Sequence, residues 1–160
     1  MPYSSLTVAN TFLARSFKEA RGDVSPMKLQ KLVFFLHGWM LAIHDNEATY
    51  ETFEVWPYGP VLPDLYDATK RFGALNINSY LPEYAKGQYV TQVVGPADKN
   101  FHSVFDQVWE NYIGINALSL STMTHQPGTP WEKAKQAKSP TISNQQIREY
   151  FLGLGNAKPE

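Results

Sequence analysis

The alternation of apolar and polar residues predicts a chain of helices joined by short connections. Apolar side chains recur every three or four positions over residues 6–20, 25–43 and 101–112, the spacing expected for the buried face of a helix. Shorter helices are predicted over residues 64–72 and 117–123. Residues 25–43 carry apolar side chains around most of the helix, so this helix should lie at the centre of the domain.

Capping signals mark the ends of several predicted helices. Ser25 followed by Pro26 is an N-cap residue followed by proline at the first helical position. Residues 129–132 and 143–146 begin with Thr or Ser and end three positions later with Glu or Gln, which is the capping-box pattern of a helix start. Gly22 is expected to end the first helix.

Strand-like composition is confined to two short stretches. Residues 52–56 and 88–94 are rich in β-branched and aromatic residues and could pair with each other, whereas residues 76–86 are expected to be irregular. The predicted fold class is therefore mainly α, a compact single-domain helical fold with a small two-stranded β element. The domain should include all 160 residues, with a core over about residues 6–152 and a flexible tail at residues 153–160.

The composition excludes several kinds of site. The chain has no cysteine, which excludes disulfides, thiolate zinc sites and cysteine nucleophiles. The N-terminus lacks the pattern of a signal peptide, and the longest apolar stretch, residues 32–43, is too short to cross a bilayer. The formal net charge of −1 lacks the basic excess typical of duplex-binding proteins. We expect a cytoplasmic protein without a membrane or nucleic-acid partner.

Two motifs rich in proline and aromatic residues are candidates for function. They are VWPYGPVLPDLY at residues 55–66 and THQPGTPWEKA at residues 124–134. The first is either a strand-to-helix corner or a preorganised aromatic surface of the kind enriched at interfaces. In the second, helix capping explains most residues, and His125 is either a polar residue of local structure or a contact for a partner. The residues proposed to contact a partner are Trp56, Tyr58, Tyr66, His125 and Trp131.

Catalytic and cofactor sites receive little support from the sequence. A small hydrolase or nuclease could use His125 with Asp64 or a serine such as Ser119 or Ser121, but no motif brings these residues together. The four histidines lack metal-binding spacing, and no phosphate-binding glycine loop is present. His37 is expected to be a hydrogen-bonded residue of the core or its rim. We therefore expect no catalytic residue, metal or cofactor.

Two groups of lysines interrupt the apolar pattern. Lys28 and Lys31 lie near the start of the central helix, and Lys133, Lys135 and Lys138 follow near the C-terminus. Both groups are expected on solvated helix faces, and they would form a site for an anion only if they met in space.

Three motifs, taken together and in this order, resemble the Panacea antitoxin domain, also called SocA-like or phage-associated GepA-like. They are SPMKLQKLVFFLHGW at residues 25–39 and the two proline-rich motifs, and the resemblance extends from about residue 6 to residue 151. It implies a largely helical domain encoded beside a toxin gene, whose product the domain neutralises by direct binding. A SocA-like variant would instead deliver the toxin to a cytosolic protease. The resemblance brings no catalytic residue or cofactor, and it leaves homodimerisation open.

Overall fold

The computed structural model describes residues 2–157, with side chains described through Gly155. The elements follow in the order α1 (Ser5–Lys18), α2 (Pro26–His44), β1 (Glu54–Trp56), β2 (Gly59–Val61), α3 (Pro63–Thr69), β3 (Glu83–Ala85), β4 (Gln88–Val90), α4 (Lys99–Tyr112), α5 (Ala117–Thr124), α6 (Pro130–Gln136) and α7 (Asn144–Ala157). A 3-10 turn over Lys70–Phe72 follows α3 and ends at Gly73. The mainly α fold agrees with the prediction.

Helix α2 lies at the centre of the fold, as its apolar pattern predicted. It contacts α1, α3, α4, α5, α7 and β2. Its leucines Leu29, Leu32 and Leu36 are completely buried. Gly38 faces Phe151 of α7 so closely that a Cβ atom at position 38 would overlap the phenyl ring. The α2–α7 contact therefore depends on the absence of a side chain at this position.

His37 is a buried polar residue of α2, as expected from the sequence. Its Nδ1 accepts hydrogen bonds from the backbone N–H groups of Ala48 and Thr49 at 3.3 and 3.4 Å. Nε2 therefore carries the proton and donates it to Asn144 Oδ1 at 2.8 Å. Burial lowers the pKa of His37 to about 4, so this histidine is neutral at physiological pH.

Lys28 is buried, and the prediction of a solvated position for it was wrong. It is 2% exposed, and its ammonium donates to Ile113 O at 2.6 Å and to Asp23 Oδ2 at 3.3 Å. The connection between α4 and α5 covers this side of α2. A helical pattern shows which residues share a face, but it does not show which non-local segment covers that face.

Helix α1 ends at a residue other than the one predicted. Ala20, with φ 55°, adopts the left-handed conformation, and Gly22 does not. Arg21 N donates to Ser16 O at 2.9 Å and Ala20 N donates to Phe17 O at 3.1 Å, which together form a Schellman motif. The assignment of Gly22 as the helix stop was therefore wrong.

Helix α7 begins as predicted and extends further than predicted. Ser143 Oγ accepts from Gln146 N at 3.1 Å, and Gln146 Oε1 accepts from Ser143 N at 3.4 Å, so the capping box is confirmed. The helix continues through Ala157, and Gly155 lies beside the Trp39 ring of α2, close enough for van der Waals contact with a Cβ atom. Residues 153–157 of the predicted tail are thus helical, and residues 158–160 lie outside the described part of the chain.

The strands of residues 2–157 form two separate hairpins, and the predicted pairing between residues 52–56 and 88–94 was wrong. Strand β1 pairs with β2, and β3 pairs with β4, each antiparallel with a two-residue turn. Lys86 and Gly87 both have positive φ, which is the geometry of a tight hairpin turn. Residues 83–85, expected to be irregular, are therefore one strand of the second hairpin.

Candidate partner-binding surface

The hairpin of β1 and β2 presents the first proline-rich motif at the surface. Its turn is formed by Pro57 and Tyr58, and Gly59 follows with φ 113°. A Cβ atom at Gly59 would meet Thr124 Oγ1 and Lys31 Nζ. Glycine at this position thus allows the hairpin to pack directly on α2 and α5.

Three polar side chains bind the backbone of this hairpin from below. Gln30 accepts from Leu62 N at 2.9 Å and donates to Leu62 O at 3.0 Å. Lys31 Nζ donates to Pro60 O at 2.9 Å, and Ser121 Oγ donates to Tyr58 O at 2.6 Å. These hydrogen bonds hold the turn at Tyr58, the strand that follows it and Leu62, the residue after that strand.

Trp56, Tyr58 and Tyr66, with Trp131 beside them, form what we call the aromatic surface. Trp56 packs edge-to-face with Tyr66, with 4.8 Å between ring centroids, and its indole N–H donates to Glu54 Oε1 at 2.9 Å. Tyr58 is 62% exposed and Tyr66 is 42% exposed. These two tyrosines therefore leave a large apolar area in contact with solvent.

An apolar cavity of about 220 Å³ opens between the aromatic surface and the start of α2. Trp56, Tyr58 and Tyr66 form one side, and Met27 and Lys31 belong to the other. Lys31 is only 1% exposed, and burial lowers the pKa of its amine to about 7. Like Lys28, it contradicts the expectation of a solvated helix face, because the hairpin covers it.

Trp131 lies in the first turn of α6 and connects the two proline-rich motifs. Thr129 Oγ1 accepts from Glu132 N at 3.2 Å as predicted, although the Glu132 carboxylate accepts from Gly128 N at 2.9 Å instead of completing the box at Thr129. The Trp131 indole donates to Trp56 O at 2.8 Å and is 6% exposed. Residues 55–66 and 124–134 are therefore joined by a partly buried hydrogen bond.

His125 packs against Trp131. The two rings meet edge-to-face with 5.4 Å between centroids. Within residues 2–157, Nδ1 of the imidazole is buried and has no hydrogen-bond partner. The hydrolase hypothesis requires this ring to bond a carboxylate or hydroxyl, and neither Asp64 nor a serine makes that contact in the described part of the chain.

A second depression, which we call the lysine-edged groove, lies on the other side of Trp56. It has a volume of about 430 Å³, and its lining includes Trp56, Pro57, Trp131, Lys135 and Lys138. Lys135 Nζ lies 4.9 Å from the centroid of the Trp131 ring. Both lysines are exposed, and neither forms an ion pair with an acidic side chain of residues 2–157. Positive charge on this edge is thus accessible.

The structure brings together four of the five residues proposed to contact a partner, and His125 packs against one of them, Trp131. Gln30, Lys31 and Ser121 position the hairpin, a role that the sequence did not predict for any of them. A signal for the first two was present: a helix that is apolar on most sides must also bury its polar residues, and these then need partners. No signal identified Ser121 as the residue that binds the turn.

Other kinds of site are not formed in the described residues. Within residues 2–157, no cluster of three or more histidine and acidic side chains is arranged to hold a metal ion. None of the helices of this part combines the length and hydrophobicity needed to cross a bilayer.

Comparison with known proteins gives two matches. Residues 29–132 match the family described as antitoxin SocA-like, Panacea domain. The chain is also similar to the antitoxin SocA of Caulobacter vibrioides, with 28% identity over 111 residues, or 68% of this chain. That match spans only 58% of the relative's own length. No solved structure is detectably similar to the chain.

Proposed function

The chain belongs to the SocA-like antitoxin family with a Panacea domain, and from this premise we propose that it neutralises a cognate toxin by direct protein–protein binding. The toxin is the product of a neighbouring gene, and the aromatic surface is where it docks. In this proposal, His125 supports the position of Trp131 and performs no chemistry.

The observation that carries the proposal is that large aromatic side chains are exposed on a backbone held in place by hydrogen bonds. Tyr58 and Tyr66 are exposed. The hairpin that carries Tyr58 and the residue that follows it are held by Gln30, Lys31 and Ser121. Aromatic residues dominate the energetics of protein interfaces. A backbone that is already ordered loses less conformational entropy on association, which favours binding.

Co-expression of the chain with the product of the adjacent gene tests the proposal. The gene product alone should stop growth, the pair should grow, and the two proteins should co-purify as a stable complex. A neighbour that is harmless when expressed alone, or toxicity that persists although the chain accumulates normally, would contradict the proposal.

We further propose that, if the chain delivers the toxin to a cytosolic protease, it does so by first binding the toxin. The two modes of neutralisation differ in the lifetime of the toxin. If binding alone neutralises, the toxin should persist at an unchanged level in cells that grow. If the chain acts as an adaptor, the half-life of the toxin should fall several-fold when the chain is present, and inactivating the protease should restore toxicity.

A further inference from the structure

We infer that the toxin presents a bulky apolar side chain with an acidic side chain close beside it in the same segment. The apolar group enters the cavity bordered by Tyr58 and Tyr66, and the carboxylate meets Lys135 and Lys138 in the lysine-edged groove. This inference rests on the proposed function, because it specifies the chemistry of the partner at the same surface.

The inferred apolar side chain of the toxin follows from the size and lining of the cavity. Its volume of about 220 Å³ is below the range of about 300–1,000 Å³ found for cofactor and drug-sized ligands, and it suits a single side chain. Its two polar lining groups on α2 are already engaged, since Gln30 bonds Leu62 at both ends and Lys31 bonds Pro60 O. An apolar side chain can therefore fill this cavity without separating these polar groups from their partners, which favours an apolar occupant.

The inferred acidic side chain of the toxin follows from the positive charge in the groove. Lys135 and Lys138 are exposed in a chain whose formal net charge is −1, so positive charge here is a local feature. Lys31, although it lies near the cavity, is buried and cannot serve this role. Of the lysines that line the cavity or the groove, only the two in the groove are therefore exposed to a partner.

One segment of a partner can reach both places because they share a wall. Trp56 and Pro57 line the cavity and the groove alike, so the two depressions are adjacent. Side chains that are neighbours or near neighbours along an extended segment can lie on either side of such a wall. Complementary charge would set the register of that segment, and the buried apolar group would supply most of its affinity.

The test is the affinity of purified variants for the product of the adjacent gene, measured by calorimetry at several salt concentrations. We expect the double variant Lys135→Glu/Lys138→Glu to bind at least about tenfold more weakly and to lose most of the salt dependence of binding. Met27→Trp, which fills the cavity from α2, should weaken binding without changing its salt dependence. The control is Lys86→Glu/Lys99→Glu, which reverses two exposed lysines elsewhere and alters the net charge equally.

The outcomes separate the inference from the proposed function. If the wild-type chain does not bind the gene product, the proposed function fails and the inference fails with it. If the wild type binds and the Lys135/Lys138 variant loses no more affinity than the control, only the inference is overturned. Unchanged affinity for the gene product together with lost affinity for a DNA duplex would assign these lysines to nucleic acid, which also overturns it.

Discussion

At the scale of single residues, Lys31 is a buried lysine of α2 that binds the backbone of the hairpin of β1 and β2. Its amine is enclosed by the hairpin and donates to Pro60 O, and burial lowers its pKa from the ordinary value of 10.5 to about 7. Between about pH 7 and pH 10.5, the Lys31 amine is therefore mostly protonated in the unfolded chain and mostly neutral in the folded chain. Raising the pH through this window favours folding.

The consequence is a specific pH dependence of stability. Between about pH 7 and about pH 9, the free energy of unfolding of the wild type should rise by about 2 kcal/mol relative to that of Lys31→Met. Urea unfolding of both proteins at each pH measures the difference. Parallel curves for the two proteins over this range would show that Lys31 does not titrate as its burial requires.

Trp131 and His125 are neighbours with different expected contributions to stability. Trp131→Ala should lower the free energy of unfolding by about 3–5 kcal/mol, because the indole is buried and bonded to Trp56 O. His125→Ala should lower it by less than about 1 kcal/mol, because within residues 2–157 the buried Nδ1 has no hydrogen bond to lose. Denaturant unfolding measures both values.

Growth rescue by the His125→Ala protein separates structure from chemistry. We expect neutralisation to survive this substitution. A folded His125→Ala protein that binds the toxin with normal affinity and yet fails to neutralise it would give the histidine a chemical role that this account denies.

At the scale of elements, the end of α1 offers a direct test of a local conformation. Ala20 adopts a left-handed conformation with φ 55°, which is unfavourable for a residue with a Cβ atom and favourable for glycine. Ala20→Gly should therefore raise the free energy of unfolding by about 1 kcal/mol. Gly22→Ala is the matched control and should not destabilise, since nothing lies near its Cβ position. The opposite ranking would place the helix end at Gly22.

The contact between α2 and α7 depends on Gly38. Gly38→Ala should lower the free energy of unfolding by about 1–3 kcal/mol, because the new methyl group overlaps the Phe151 ring. Adding Phe151→Leu should cost less in the Gly38→Ala background than in the wild type. A double-mutant cycle measures this coupling, and additive effects would mean that the two positions do not touch.

The elements that local signals specify were predictable from the sequence. Capping residues and helical periodicity predicted α2, α6 and α7, because these signals depend on residues within one or two turns. The hairpin pairing was not predicted, although the pair Lys86–Gly87 fits a tight turn. Strand composition shows which residues can form a strand. The turn that connects two strands determines which of them pair.

At the scale of the whole molecule, α2 links the core to the candidate surface. Its middle residues pack against α7, and Gln30 and Lys31 near its start bind the hairpin. The sequence indicated both proline-rich motifs as candidates for function. It could not show that they converge, because the bond from Trp131 to Trp56 O joins segments 75 residues apart and forms only in the complete fold.

The same limit explains the burial of the lysines. A lysine is mostly exposed when only its type is considered, and the covering segments here are distant in sequence. The fold class and the motifs of the candidate surface were therefore accessible from the sequence. The cavity, the groove and the support beneath the hairpin required the structure.

The most direct test of the central claim is growth rescue by surface variants of matched composition. Tyr58→Ser/Tyr66→Ser removes the two exposed rings of the aromatic surface, and Tyr84→Ser/Tyr89→Ser removes two exposed rings from the hairpin of β3 and β4. Each variant is co-expressed with the adjacent gene, and its level and thermal stability are measured alongside growth. We predict that the first variant accumulates as a folded protein and fails to rescue growth, while the second rescues as the wild type does. Full rescue by Tyr58→Ser/Tyr66→Ser would contradict the assignment of the aromatic surface as the site that binds the toxin.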